Sequence, residues 1–221
     1  MHYLKLRKKF LKRDLKMRKY LLFIIVASLI SHKGIGANFS EIRAAYLQSY
    51  NYEKTGNYKD AIRVLLSIYN LSHDPYLINL RLGWLYYLDG RYANSIDFYK
   101  KASKAAPEAI EPLLGISLPL LAQGRFSEVE TLMYEVLKKD FYNYFGNLRL
   151  IVALRNQKKF DQAKKIAEKM LKLYPTDINF LLELGLIEKG KGNISKAKKI
   201  FKRILYIDPL NRIAKNMLQF W

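Results

Sequence analysis

A period of 34 residues constrains this chain more than any other feature of its sequence. A small residue recurs at Ala61, Ser95, Val129, Ala163 and Ala197, each 34 positions after the last. Gly56, Gly90, Gly124, Lys158 and Gly192 keep the same interval, as do Tyr58, Tyr92, Phe126, Phe160 and Ile194 two positions further on. Pro107, Pro175 and Pro209 fall in that register as well. Five copies in phase mean stacked units, each contacting its neighbours, rather than one central core. The glycine suits the left-handed backbone of a tight inter-helix turn, which costs another residue roughly 1 kcal/mol. The small residues at Ala61, Ala163 and Ala197 let two helices approach closely, and a larger side chain there would overpack by about 1–3 kcal/mol.

The clearest unit, residues 79–107, contains Leu82, Gly83 and Tyr86 in the spacing L-G-x-x-Y, followed by Gly90, Ser95 and Tyr99. This pattern resembles the tetratricopeptide repeat, a helix–turn–helix unit of 34 residues. The resemblance covers Ile42 to Asn211 and implies an all-α, right-handed solenoid. Its five units fall at about 42–75, 76–109, 110–143, 144–177 and 178–211, with a closing helix over 212–221. Repeat three departs most: its glycine is displaced to Gly115, and Pro119 lies inside the first helix, which it is expected to kink or loosen. Repeat four puts Ile151 where glycine is usual, and repeat five returns to form with Gly185 and Phe201. The closing helix carries Ile213, Met217, Leu218, Phe220 and Trp221. That is more apolar than a solvated cap requires, so capping and self-association through this helix are both open to it.

Residues 1–37 are expected to lie outside the fold. Residues 20–30 form an apolar run too short to span a bilayer as a helix. Basic residues precede it and the small residues Gly34, Gly36 and Ala37 follow it. That is the layout of a secretory signal peptide cleaved after Ala37 or Gly36. Residues 1–16 read as an extension from an upstream start, with Met17 as the natural one. An uncleaved membrane anchor is the alternative. The expected location is exported, periplasmic first and secreted second.

The formal charge of +20 is unevenly placed. Ten Lys/Arg and one Asp lie in residues 1–37, and residues 38–142 balance twelve Lys/Arg with twelve Asp/Glu. Residues 143–221 hold seventeen Lys/Arg against six Asp/Glu, so all of the remaining excess sits in the last two repeats. Lys164, Lys165, Lys169, Lys196, Lys199, Lys202 and Arg203 lie on second helices interleaved with apolar residues, which gives a charged outer face. That face is either a solvated surface or a dock for an acidic partner or an anionic membrane surface. No nucleic acid is expected, because no reading motif accompanies the charge. With no cysteine and a single histidine after residue 37, no thiolate or histidine metal cluster can form. No nucleophile elbow or phosphate loop is present, so neither catalysis nor a cofactor is expected.

By resemblance, the first helix of each unit lines a concave groove. The matching positions here are Tyr46 and Tyr50 in repeat one, then Arg81, Trp84 and Tyr87 in repeat two. Repeat three offers Leu118 and Leu121, and repeat four offers Arg149, Val152 and Arg155. The groove is expected to run from an aromatic end through an apolar middle to a basic end. A carboxylate clamp used by some family members is absent, its places being held by Tyr46, Tyr50, Arg81, Glu111 and Gly115. The function expected is a non-catalytic scaffold that holds an extended or helical segment of a partner protein, in envelope assembly or secretion by analogy with exported family members.

Overall fold

The computed structural model describes residues 39–219, so the leader expected at 1–37 and the terminal Phe220 and Trp221 lie outside the described part. Among the described residues there are helices and turns and no strand. They divide into two compact units, one ending at His73 and one beginning at Asp74.

The first unit is a single helix pair, α1 (39–54) and α2 (Tyr58–Ser67). Gly56 turns between them at φ 74°. Asn57 then caps α2, its side chain accepting from the Asp60 N–H at 3.4 Å. Ala61, Ile62 and Leu65 form the buried side of α2.

The second unit contains α3 (Pro75–Leu88), α4 (Tyr92–Ala105), α5 (Glu111–Ala122), α6 (Phe126–Lys139) and α7 (Tyr144–Asn156). It continues through α8 (Phe160–Leu173), α9 (Ile178–Gly190), α10 (Ile194–Ile207) and α11 (Arg212–Gln219). Each helix packs on the next in sequence, and the first helices α3, α5, α7 and α9 also touch in series. Such nearest-neighbour packing is the α-solenoid of helix–turn–helix repeats.

Local chemistry sets the helix ends. Asn143, Asp177 and Asn211 share the 34-residue register, and their side chains accept from the N–H groups of Gly146, Phe180 and Ala214 at 2.8, 3.0 and 3.0 Å. A cap of this kind contributes about 1 kcal/mol. The second helices α4, α8 and α10 stop two residues before Pro107, Pro175 and Pro209. Gly90, Gly124 and Gly192 occupy the inter-helix turns at φ 76°, 70° and 79°. Lys158 stands in the same slot at φ 61°, so the turn geometry is kept even where the glycine is lost.

The five small positions, Ala61, Ser95, Val129, Ala163 and Ala197, are completely buried. Ser95 tolerates this because its hydroxyl donates to the Gly83 carbonyl at 2.8 Å. A second register explains the missing glycine of repeat four. A Cβ on Gly83 would stand 2.8 Å from the Tyr99 ring, and a Cβ on Gly185 would stand 2.8 Å from the Phe201 ring. Sixteen residues separate each glycine from its aromatic partner. At the same register repeat three pairs Ser117 with Met133 and repeat four pairs Ile151 with Ala167, all buried. When the first-helix residue grows, the second-helix residue shrinks, as constant interior packing density requires. Gly115 lies two positions before that register, and it too packs against the Tyr99 ring, so the ring meets glycines of both α3 and α5.

The helix expected to kink or loosen at Pro119 stays continuous through it. The α5 helix runs from Glu111 to Ala122 with Pro119 buried inside it. Proline withholds an N–H from the turn before it, and a side chain from α7 reaches into that turn.

Candidate partner-binding faces

Two first helices of the second unit, α3 and α5, are apolar on nearly every side. The only charged residue in α3 is Arg81, and the only one in α5 is Glu111. The second helices, by contrast, are amphipathic, with α8 and α10 carrying their lysines opposite a buried stripe. A helix that is apolar all round belongs in a buried setting. Yet Trp84, Tyr87, Leu118, Leu121 and Val152 are each only half buried. Leu148, Leu182 and Leu186 share that state. The Trp84 and Tyr87 rings lie 5.7 Å apart, and Tyr87 lies 6.1 Å from Tyr92. Tyr46 is half buried and Tyr50 exposed on α1, within the first unit.

The arginines expected at this face are committed elsewhere. Arg81 is buried. Arg149 donates through Nη1 to the Leu114 carbonyl and, at 2.8 Å, to Ser117 Oγ. Its guanidinium also lies 5.4 Å from the Phe145 ring centroid, and burial pulls its pKa below the ordinary value. Arg155 Nε donates to Glu183 Oε2 at 2.7 Å, joining α7 to α9. The basic end of the groove is therefore largely internal wiring. Helical spacing places these arginines on a face, but the long stems of Arg149 and Arg155 carry the charge back across it to acceptors on α5 and α9.

The lysine face is divided in the same way. Lys164 donates to Glu188 Oε1 at 2.6 Å, and Asn193 donates to Glu188 Oε2 at 2.6 Å. Burial alone would raise the Glu188 carboxyl, but these two hydrogen bonds and the lysine charge hold it below the usual range. Lys169 and Arg203 are 34 positions apart and do the same work: Lys169 Nζ donates to the Phe141 carbonyl at 3.4 Å, Arg203 to the Pro175 carbonyl at 2.8 Å. Each ties a second helix to the turn that precedes its unit. The shared register carries this signal in the sequence, but helical spacing alone presents it as surface charge. Lys165, Lys196, Lys199 and Lys202 are exposed.

Sequence periodicity also missed a cavity of about 700 Å³ between α6, α7 and α8, beside Lys169. Among the described residues, no three His, Cys, Asp or Glu side chains gather to hold a metal, and no helix is long and apolar enough to cross a membrane.

Residues 77–108 and 154–219 match models described as tetratricopeptide repeat. No curated protein matches the chain. A tetratricopeptide repeat protein from Parabacteroides merdae has a similar solved structure, with 15% identity, a TM-score of 0.71, and coverage of 80% of this chain and 71% of that one. MamA from Desulfovibrio magneticus RS-1 is 14% identical, with a TM-score of 0.68 over 78% of this chain and 97% of that one. MamA MSR-1 is 23% identical, with a TM-score of 0.60 over 76% and 98%. Identities this low speak for the fold alone. Both matched stretches lie in the second unit, on the helix pairs that the 34-residue register marks out, and the chain belongs to the tetratricopeptide-repeat superfamily.

Proposed function

We propose that this scaffold holds an apolar-rich segment of a partner protein, extended or helical, along the first-helix face of its second unit. One observation carries the reading: the first helices α3, α5 and α7 leave the apolar and aromatic side chains of Trp84, Tyr87, Leu118, Leu121 and Val152 half uncovered. Tyr and Trp are side chains that concentrate binding energy at interfaces. The arginines serve as the frame that holds the first helices in place.

The test is site-specific photo-crosslinking in the full chain. Probes at Leu118 and Val152 should capture one defined segment of one protein, and a probe at Lys199 should not. The double variant Trp84→Ala/Tyr87→Ala should weaken that segment by at least about tenfold with helical circular dichroism retained. Loss of the helical signal would show both residues to be core and end the reading. A role in envelope assembly or secretion rests on the expected leader. A chain recovered from the envelope with its N-terminus at Ala37 or Asn38 supports it; a cytosolic chain that keeps residues 1–37 overturns it.

The exposed Lys196, Lys199 and Lys202 on α10 favour a second reading, docking to an anionic surface. Such binding is screened over about 8 Å at physiological ionic strength. It should therefore release from anionic vesicles at high salt, and retention there would count against it.

A further inference from the structure

The cavity lies between the second helices α6 and α8 and the first helix α7, and none of Trp84, Tyr87, Leu118, Leu121 and Val152 lines it; its chemistry differs from that of the first-helix face. Its floor is apolar, with Leu150 buried and Leu137 and Ile166 half buried. Its polar edge carries Lys138, Lys165 and Lys169, and no Asp or Glu lines it. A volume of about 700 Å³ falls within the range of small-molecule pockets.

Two features set this turn apart from its copies. Position 141 is the slot that proline holds at 107, 175 and 209, and here it holds Phe141. Phe141 and its neighbour Tyr142 are both exposed, with ring centroids 4.9 Å apart. The second feature is the setting of Lys169. Its Nζ donates to Asn147 Oδ1 at 2.7 Å as well as to the Phe141 carbonyl, and lies 3.9 Å from the Phe141 ring centroid. Asn147 is itself fully buried and fixed by donating to the carbonyls of Phe141 and Asn143 at 3.0 and 2.9 Å. Every acceptor around this half-buried ammonium is neutral. Desolvation accordingly lowers the Lys169 pKa, with no carboxylate to oppose it. Arg203, its counterpart one repeat on, sits at a proline turn instead.

A cation that has lost water but gained no counter-ion, set above an apolar floor, is complementary to one chemical class. We propose that this cavity binds a small amphiphilic carboxylic acid. Its apolar body lies on Leu137, Leu150 and Ile166, and its carboxylate is met by Lys169 with Lys138 and Lys165. The carboxylate supplies the charge that Lys169 lacks, and the aromatic pair at 141 and 142 shields the chain from water. This site is independent of the partner groove and stands or falls separately from it.

The experiment is calorimetric titration of the full chain with decanoate below its micelle concentration, beside decan-1-ol as the uncharged control. Decanoate should saturate at one per chain, and the alcohol should bind at least tenfold more weakly. Lys138→Met/Lys165→Met removes two exposed charges and should lower decanoate affinity about tenfold. Lys199→Met/Lys202→Met makes the same charge change on α10 and should leave it unaltered. Ile166→Trp, which fills the cavity, should abolish binding with helical circular dichroism retained; should that variant unfold, Lys169→Met takes its place, with the same loss expected. Equal binding of the alcohol, equal loss in both lysine pairs, or binding to phosphatidylglycerol vesicles without binding to monomeric decanoate would each overturn the proposal. A peptide ending in a free carboxylate that displaces decanoate at lower concentration would also overturn it, by making the occupant a protein.

Discussion

Arg149 in α7 donates to the carbonyl of Leu114 in α5, 35 positions earlier in the chain. The α5 helix lacks a side-chain cap and contains Pro119, so it is the least self-sufficient first helix in the stack. The guanidinium also donates to Ser117 Oγ, so one side chain serves two acceptors on the turn ahead of the proline. Replacing Arg149 by Met should lower stability by about 1–3 kcal/mol, the range for a charged hydrogen bond removed from a covered site. Lys should recover little of it, because an ammonium lacks the planar fork. Urea unfolding checks this: the midpoint should fall with the slope unchanged, whereas a residue serving only to bind a partner would leave the midpoint alone.

The left-handed turn at Lys158 gives a prediction of opposite sign. Its φ of 61° costs a residue with a Cβ about 1–2 kcal/mol, part of which a glycine gives back through the greater freedom of the unfolded chain. Lys158→Gly should therefore stabilise by about 0.5–1 kcal/mol, seen as a raised melting temperature. Unchanged melting would mean that Lys158 gains from contacts what it loses in conformation.

The pairing of sizes between Ile151 and Ala167 can be tested by a double-mutant cycle. Ile151→Gly restores the usual residue of the repeat but should destabilise by about 2–5 kcal/mol, because Ala167 cannot fill the space. Ala167→Phe alone should overpack and also destabilise. Together they recreate the Gly185/Phe201 arrangement, and the double variant should be more stable than the sum of the singles implies by about 0.5–3 kcal/mol. Strict additivity would show that the two positions do not share a space.

Glu188 ties stability to acid. Its carboxyl titrates lower in the folded chain than its ordinary value of 4.5. The unfolded chain therefore takes up the proton first as the pH drops. The contribution is complete above that value and is lost as pH falls through the lower, folded pKa. Lys164→Met should destabilise by about 1–3 kcal/mol at neutral pH, because it leaves a buried carboxylate with Asn193 alone. The difference from the parent chain should shrink steadily below pH 4.5. A difference independent of pH would assign the loss to packing of the lysine stem.

The repeat was legible in the sequence because packing between identical units imposes one residue class at one interval. The buried small positions, the turn slot and the prolines beyond the second helices all lie at the 34-residue spacing, so local sequence sufficed to place the helices. What tertiary structure decided was the partner of each polar side chain. Arg149 and Arg155 read as groove residues, and Lys164, Lys169 and Arg203 as a charged outer face, because spacing along a helix reports a face and nothing about reach. The acceptors described above lie 22 to 35 positions away on neighbouring helices and turns, and a long flexible stem can turn back to meet them. The cavity beside Phe141 escaped the sequence for a related reason: a void is defined by the walls that three helices bring together, and no single segment contains it.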